Sequence, residues 1–278
     1  MISSIHHIAT LELPELEPYK TLRRPFEHLE QGIFVAEGEK VVLRLLASPL
    51  AVQSILLSQD WFEEHRIVIE ENTNTIEVFI GTKKLLETIV GHVLHQSIMA
   101  LASVPKQNTS DDVVRTLGTG QSVENANKIF VLVDGITNAE NMGVIVRNCV
   151  CFGVEALLVL PNSCDPYLRR SVRNSMGNIF QLPIVYIHNP AEEIQKLQQN
   201  GIRLYAAHPH EKSVDIRKAS FTNACCIVLG AEGPGISQDV LELCDEYVTI
   251  PMKDGVDSLN VASASAVMLW ELQKKLKR

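Results

Sequence analysis

The stretch I129-F-V-L-V-D-G-I-T-N-A-E-N-M-G-V-I-V-R147 reads as a strand, a turn and the opening of a helix in direct succession. Ile129 to Val133 is a short continuous apolar run rich in β-branched residues, the pattern of a strand buried on both faces. Asp134 and Gly135 end it. Helical spacing then takes over from about 142 to 152, and Gly153 stands where helices commonly terminate. The polar loop between them lies at the carboxyl end of a strand, where open α/β sheets bind their ligands.

The same alternation continues toward the C terminus. The runs A156-L-L-V-L160, I184-V-Y-I187, R203-L-Y-A-A207, C225-C-I-V-L229 and Y247-V-T-I250 predict strands. Helices are expected at about 166–176, 191–200, 236–243 and 260–276. Strands alternating with helices imply a mainly parallel sheet covered on both faces, so residues 128–278 form an α/β domain of their own.

Toward the N terminus the regularity fades. The stretch from Pro105 to Asn127 is rich in Ser, Thr, Asn, Asp and Gly and predicts a linker over residues 106–127. Residues 1–105 predict a smaller α/β domain. After a polar lead, G32-I-F-V-A-E-G-E-K-V-V-L-R-L-L-A47 combines a strand with a helix that gathers Val41, Leu45 and Leu46 on one face. A51-V-Q-S-I-L-L57, R66-I-V-I69, T75-I-E-V-F79 and H95-Q-S-I-M-A-L-A102 are expected as further strands.

With 278 residues, 46% hydrophobic and 21% charged, the chain has an ordinary globular composition and enough apolar material for a sizeable core. No apolar run is long enough to span a bilayer, and the start lacks the layout of a secretory signal, so a soluble, cytoplasmic protein is expected. The six cysteines lack C-x-x-C spacing, which argues for reduced, mostly buried thiols and against a structural metal. Lys and Arg number 25 against 33 Asp and Glu, a net charge of -8. That balance disfavours indiscriminate capture of nucleic acid along its backbone, although it permits a local basic site.

Three segments of the second half concentrate the polar residues and glycines. In N141-M-G-x-x-x-R147 the arginine is one turn beyond Gly143 and faces back toward the loop. On local grounds Asn141 serves equally as a helix cap and Arg147 as a solvated helix residue. L229-G-A-E-G-P-G235 ends a buried strand with three glycines around one acid, which suits either close approach to a ligand or a structural turn. It has neither the dinucleotide nor the P-loop spacing. I250-P-M-K-D-G-V-D-S-L-N-V-A262 is a second strand-end loop that enters a helix, where Ser258 and Asn260 stand in capping positions.

Taken in order, these segments resemble the three signature motifs of the SpoU (TrmH-like) RNA ribose 2'-O-methyltransferases of the SPOUT superfamily. The resemblance covers nearly the whole chain and is strong from about residue 129 onward. It implies that Asn141 and Arg147 are the polar pair of the first motif, with the arginine catalytic, and that Glu232, Ser258 and Asn260 complete the site. It further implies S-adenosylmethionine held by the backbone at Gly230, Ile250 and Leu259, with Leu229, Gly233 and Met252 beside them. A deep trefoil knot in the parallel-sheet domain and homodimerisation through it belong to the same expectation.

R169-R-S-V-R-N-S-M-G-N-I-F-Q-L-P183 resembles the family's segment between the first and second motifs. Arg169, Arg170 and Arg173 are its candidates for RNA phosphate contacts, or else a solvated helix face. F34-V-A-E-G-E-K-V-V42 and H95-Q-S-I-M-A100 resemble the L30e-like substrate-binding domain found ahead of many relatives. One departure is Glu140, which precedes Asn141 where many relatives carry histidine.

The implied function is S-adenosylmethionine-dependent 2'-O-methylation of a structured RNA, ribosomal RNA before transfer RNA, with no metal and no membrane. The rival is a noncatalytic RNA-binding or ribosome-assembly factor that keeps the fold. The joint presence of Asn141, Arg147, Glu232, Ser258 and Asn260 favours the enzyme. A guanidinium holds its proton far above neutral pH, so Arg147 is expected to act as an orienting cation rather than as a free base.

Overall fold

The computed structural model describes residues 2–90, 97–118, 127–210, 212–255 and 258–276. The chain divides into two compact units, residues 1–106 with 167–180, and residues 107–166 with 181–278.

The first unit runs β1 (Ile2–Ile8), α1 (Glu17–Lys20), α2 (Pro25–Glu30), β2 (Ile33–Glu37), α3 (Glu39–Leu46), β3 (Val52–Leu57), α4 (Gln59–Glu70), β4 (Ile76–Gly81), α5 (Lys83–Val90) and β5 (Ile98–Ser103). Its five strands form a mixed sheet in the order β1-β4-β3-β5-β2, parallel on one side of β3 and antiparallel on the other. Leu16, Tyr19, Val35, Leu56, Phe79 and Met99 lie in its core, and the buried Tyr19 hydroxyl is satisfied by Ser54 Oγ at 2.9 Å.

Two readings of this half are corrected. R66-I-V-I69 is not a strand but the last part of α4, because Phe62, His65 and Ile69 are the buried residues of that helix while Ile67 and Val68 remain exposed. Spacing by three and four defeats a short β-branched run. The polar lead contains β1, an edge strand whose mostly exposed residues leave almost no apolar pattern to read. His95 and Gln96 lie outside the described residues, and β5 begins at Ile98.

The remaining elements are α6 (Ser110–Gly118), β6 (Lys128–Asp134), α7 (Ala139–Cys151), β7 (Ala156–Val159), α8 (Arg169–Asn174), β8 (Ile184–Tyr186), α9 (Pro190–Gln199), β9 (Arg203–Ala207), β10 (Val214–Asp215), β11 (Ala224–Gly230), α10 (Gln238–Leu241), β12 (Glu246–Thr249) and α11 (Val261–Leu276). Of these, α8 falls in the first unit and the others in the second. The second unit's seven strands form a parallel sheet in the order β10-β12-β9-β11-β6-β7-β8. The α/β class and the parallel sheet are as the alternating pattern requires.

Of the stretch expected to link the domains, residues 107–118 fall in the second unit. Its α6 buries Val113 in the core with Leu158 and Ile194, Asp111 pairs with Lys196 of α9, and Asn108 Nδ2 donates to the Ile184 carbonyl at 3.2 Å. Residues 167–180 go the other way. Tyr167 and Phe180 pack on Phe34 of β2 with ring centroids 5.3 and 5.7 Å away, so the helix expected over 166–176 is shortened to α8. Among the described residues no helix is long and apolar enough to cross a membrane.

Candidate active site

The site is built at the carboxyl ends of β6, β9, β11 and β12. Asp134 closes β6 and is 1% exposed. Its Oδ1 accepts from Asn162 Nδ2 at 2.6 Å and its Oδ2 from the Ser237 backbone at 2.6 Å, while Asn162 Oδ1 accepts from Gly135 N at 3.0 Å. One buried carboxylate therefore braces the loop after β6 against the loop after β11. Sequence reasoning did not single it out, because a strand-ending Asp is the commonest of turn signals.

The glycines after β11 have separate causes. Ala231 and Gly235 exchange two backbone hydrogen bonds of 3.0 and 3.1 Å, folding residues 231–235 into a tight hairpin. A Cβ on Gly230 would stand 2.3 Å from the Gly235 carbonyl carbon and from Ile236 N, so only glycine fits. Gly233 and Gly235 take the left-handed backbone, φ +94° and +77°.

Asn260 joins the segments. Its Oδ1 accepts from the Ala262 and Ser263 backbones at 2.9 and 3.2 Å, capping α11. Its Nδ2 donates to Glu232 Oε1 at 2.6 Å and to Asn141 Oδ1 at 3.0 Å. The three signature segments thus meet at one carboxamide. Asn141 is not the cap of α7. Asn138 is, its Oδ1 accepting from Glu140 N at 2.7 Å and Asn141 N at 3.2 Å, which leaves the Asn141 side chain to the site.

Arg147 is exposed on α7 and has no hydrogen-bond or ion-pair partner among the described residues. Behind it, Asn148 Nδ2 donates to Ala262 O at 2.9 Å and Ser265 Oγ at 2.8 Å, holding α7 against α11. The small residues of α11 permit that close packing.

A cavity of about 430 Å³ opens beside this cluster, a size typical of small-molecule sites. Its walls are residues 207–209 at the end of β9, 229–235 at the end of β11, 248–250 and Met252 at the end of β12, Ser258 and Leu259, and Val261, Ala264 and Met268 of α11. All six residues expected at the cofactor, Leu229, Gly230, Gly233, Ile250, Met252 and Leu259, line it. Glu232 and Ser258 line it too, whereas Asn141 and Arg147 do not.

Ala207, His208 and Pro209 were missed. Their signal was the H208-P-H210 that follows an apolar strand, the position at which α/β sheets bind ligands. His208, His210 and Tyr247 form an aromatic group, with the two imidazoles 6.2 Å apart. Burial, then the neighbouring His210, lowers the His208 pKa below its ordinary value.

The donor set fits an adenosyl sulfonium. Apolar side chains from Leu229, Ile250, Leu259 and Met268 offer walls for a purine, strand-end backbone offers polar edges, and Glu232 supplies a carboxylate for a cation. The cysteines offer no nucleophile there. All six are free, and burial pushes the Cys225 and Cys244 thiols up to about 12.

The arginine trio divides. Arg169 and Arg173 both donate to Glu37 of β2, the latter at 3.1 Å, while Arg170 is exposed. The candidate cluster is in large part an internal ion-pair network of the first unit.

Comparison with known proteins agrees with this geometry. A solved S-adenosylmethionine-bound rRNA methyltransferase from Sinorhizobium meliloti superposes with a TM-score of 0.82 at 21% identity, covering 98% of each chain. The SpoU methyltransferase AviRb from Streptomyces viridochromogenes superposes at 0.79, with 22% identity over 95% of this chain and 98% of that one. These likenesses concern the fold. In sequence, an uncharacterised tRNA/rRNA methyltransferase of Mycobacterium tuberculosis is 30% identical over 93% of this chain and 88% of its own length. The 23S rRNA (guanosine-2'-O-)-methyltransferase RlmB of Vibrio vulnificus is 32% identical over 68% of this chain and 74% of its own. The family model described as the SpoU rRNA Methylase family matches residues 128–270, which carry the three joined segments and the cavity, and the chain belongs to that family.

Proposed function

We propose that this protein methylates a ribose 2'-hydroxyl of a structured RNA, ribosomal RNA before transfer RNA. It is an S-adenosylmethionine-dependent RNA methyltransferase, and the observation that carries the reading is the junction of Asn141, Glu232 and Asn260, of which Glu232 lines a cavity walled by all six cofactor candidates. The preference for ribosomal RNA follows relatives such as the Vibrio RlmB and the 23S rRNA (guanosine(2553)-2'-O)-methyltransferase RlmP of Bacillus subtilis.

Gly230, Ile250 and Leu259 hold the cofactor by their backbone, with Leu229, Gly233 and Met252 completing the walls. When bound, S-adenosylmethionine supplies an electrophilic methyl group for an in-line displacement. The chain's own residues do the rest by position and charge. Asn260 sets the orientation of Asn141 and Glu232. Arg147, exposed and without a partner among the described residues, holds the phosphate next to the target ribose so that a phosphate oxygen takes the 2'-hydroxyl proton, and stabilises the negative charge developing on the 2'-oxygen. Ser258 adds a hydroxyl at the cavity wall.

The first unit docks RNA as an L30e-like domain, with Arg170 and the exposed part of Arg173 as phosphate contacts. The second unit carries the deep trefoil knot and pairs with a second copy. Trp270, 61% exposed, and Val267, 41% exposed, give α11 an apolar outer face suited to that pairing. The protein works in the cytoplasm and needs no metal for methyl transfer.

The test is a map of ribose methylation across total RNA with and without the gene, followed by methyl transfer to the affected RNA in vitro. Loss of a single ribosomal site, restored by the wild type but not by Arg147→Lys, is the expected result. An unchanged map removes the enzymatic reading.

A further inference from the structure

Glu39 opens α3 and Glu64 with His65 sits on α4, all within the first unit. One ligand atom from each lies within 4.8 Å of the other two. His65 is 8% exposed, and its Nε2 is buried with no hydrogen-bond partner. That nitrogen points at Glu39 Oε1 across 3.7 Å. The gap exceeds the roughly 3.2 Å limit of a good hydrogen bond. It suits two ligands that each stand about 2.0–2.2 Å from a common ion. Trp61 stacks on the imidazole, centroids 5.2 Å apart and planes 22° from parallel, which fixes where the nitrogen points.

We infer that Glu39, Glu64 and His65 form a binding site for a divalent transition-metal ion of the zinc class. One imidazole and two carboxylates are a mixed nitrogen and oxygen set, which magnesium and calcium, with their preference for oxygen alone, use poorly. Three protein ligands leave a further position for water, and the exposed Glu64 side chain puts that position at the surface. The ion ties the first turn of α3 to the middle of α4. It plays no part in methyl transfer, so its test is independent of the proposed function.

The experiment uses the full-length protein, stripped with chelator, in a Trp270→Phe background. Trp61 is then the one tryptophan left of the chain's two, phenylalanine keeps an aromatic ring at position 270, and the Trp270→Phe protein without added metal is the baseline for every arm. Zinc is titrated by calorimetry and by thermal unfolding, and cobalt by quenching of Trp61 fluorescence. One ion per chain, a midpoint raised by several degrees and saturable quenching are expected. His65→Asn and Glu39→Gln should each abolish all three, and Glu64→Gln should weaken binding about tenfold or more. Glu39→Gln serves as the second arm should His65→Asn fail to fold. Absence of a midpoint shift and of quenching at millimolar ion overturns the site. So does binding that survives both His65→Asn and Glu39→Gln, which would locate the ion elsewhere.

Discussion

Glu37 accepts a hydrogen bond from Arg169 although the two residues are 132 positions apart, and with 5% exposure the carboxylate has almost no other solvation. Arg173 shares it at 3.1 Å. Residues 167–180 therefore belong to the first unit by charge as well as by the aromatic packing on Phe34.

Removing Glu37 strands two cations, one of them mostly buried. Glu37→Ala should cost about 3 kcal/mol, in the range for breaking a buried pair by deleting one partner. Arg169→Ala should cost nearly as much, whereas Arg173→Ala, whose side chain is 54% exposed, should cost less than about 1 kcal/mol. Urea unfolding of the three variants checks the ordering, and equal costs for Arg169 and Arg173 would contradict it.

The hub at Asn260 separates fold from site. Asn260→Asp keeps an oxygen to cap α11 but loses the donor to Glu232 and Asn141 and sets a second carboxylate against Glu232. Its stability should fall by less than about 1 kcal/mol, while methyl transfer should fall at least about a hundredfold. Asn260→Ala should lose both the cap, about 1 kcal/mol, and the activity. Turnover beside calorimetric cofactor binding resolves the two effects.

Glycine requirements after β11 are unequal. Gly230→Ala drives a methyl into backbone atoms 2.3 Å away and should destabilise by about 3 kcal/mol with loss of cofactor binding. Gly233→Ala meets no atom within 4 Å and bears only the strain of φ +94°, about 1 kcal/mol. Thermal unfolding of the pair should show that contrast.

His208 gives the cavity a pH dependence. Its pKa is lowered in the folded protein, by burial first and His210 second, and the Tyr247 ring packs against it. The unfolded chain takes up the proton first as pH falls. The associated stability is therefore complete above the ordinary histidine pKa of about 6.5 and is lost as pH falls below it toward the folded value. A cationic sulfonium in the same cavity opposes protonation further, so S-adenosylmethionine affinity should decline over that window. Calorimetry from pH 8 to 5.5 should show the decline in the wild type and a flatter profile in His208→Asn.

Most of the second unit was legible because β6, β7, β9 and β11 are buried along most of their length and announce themselves as continuous apolar runs, whereas the half-exposed, two-residue β10 offered no run to read. The loops that line its cavity stood out only together, through the resemblance of the three segments, since each alone reads as well as a cap or a turn. What escaped has equally physical reasons. Ile67 and Val68 mimic a strand because β-branched residues tolerate an exposed helix face, and β1 is an edge with nothing to hide. Val113 is a single anchor in a polar stretch, too little for periodicity to register. The Arg169 and Arg173 partner lies in another part of the chain, and no local pattern encodes a contact across 132 residues.

The hydrogen bonds of Asn260 have a direction, and it propagates. Two backbone N–H groups of α11 can bond only to its oxygen, so its nitrogen must face Glu232 and Asn141. Asn141 then has its oxygen occupied and turns its own amide nitrogen the other way. A helix terminus more than a hundred residues downstream in this manner orients Asn141 so that its two N–H donors are left for the site. Those donors suit a group that brings lone pairs, as the oxygens of a ribose do.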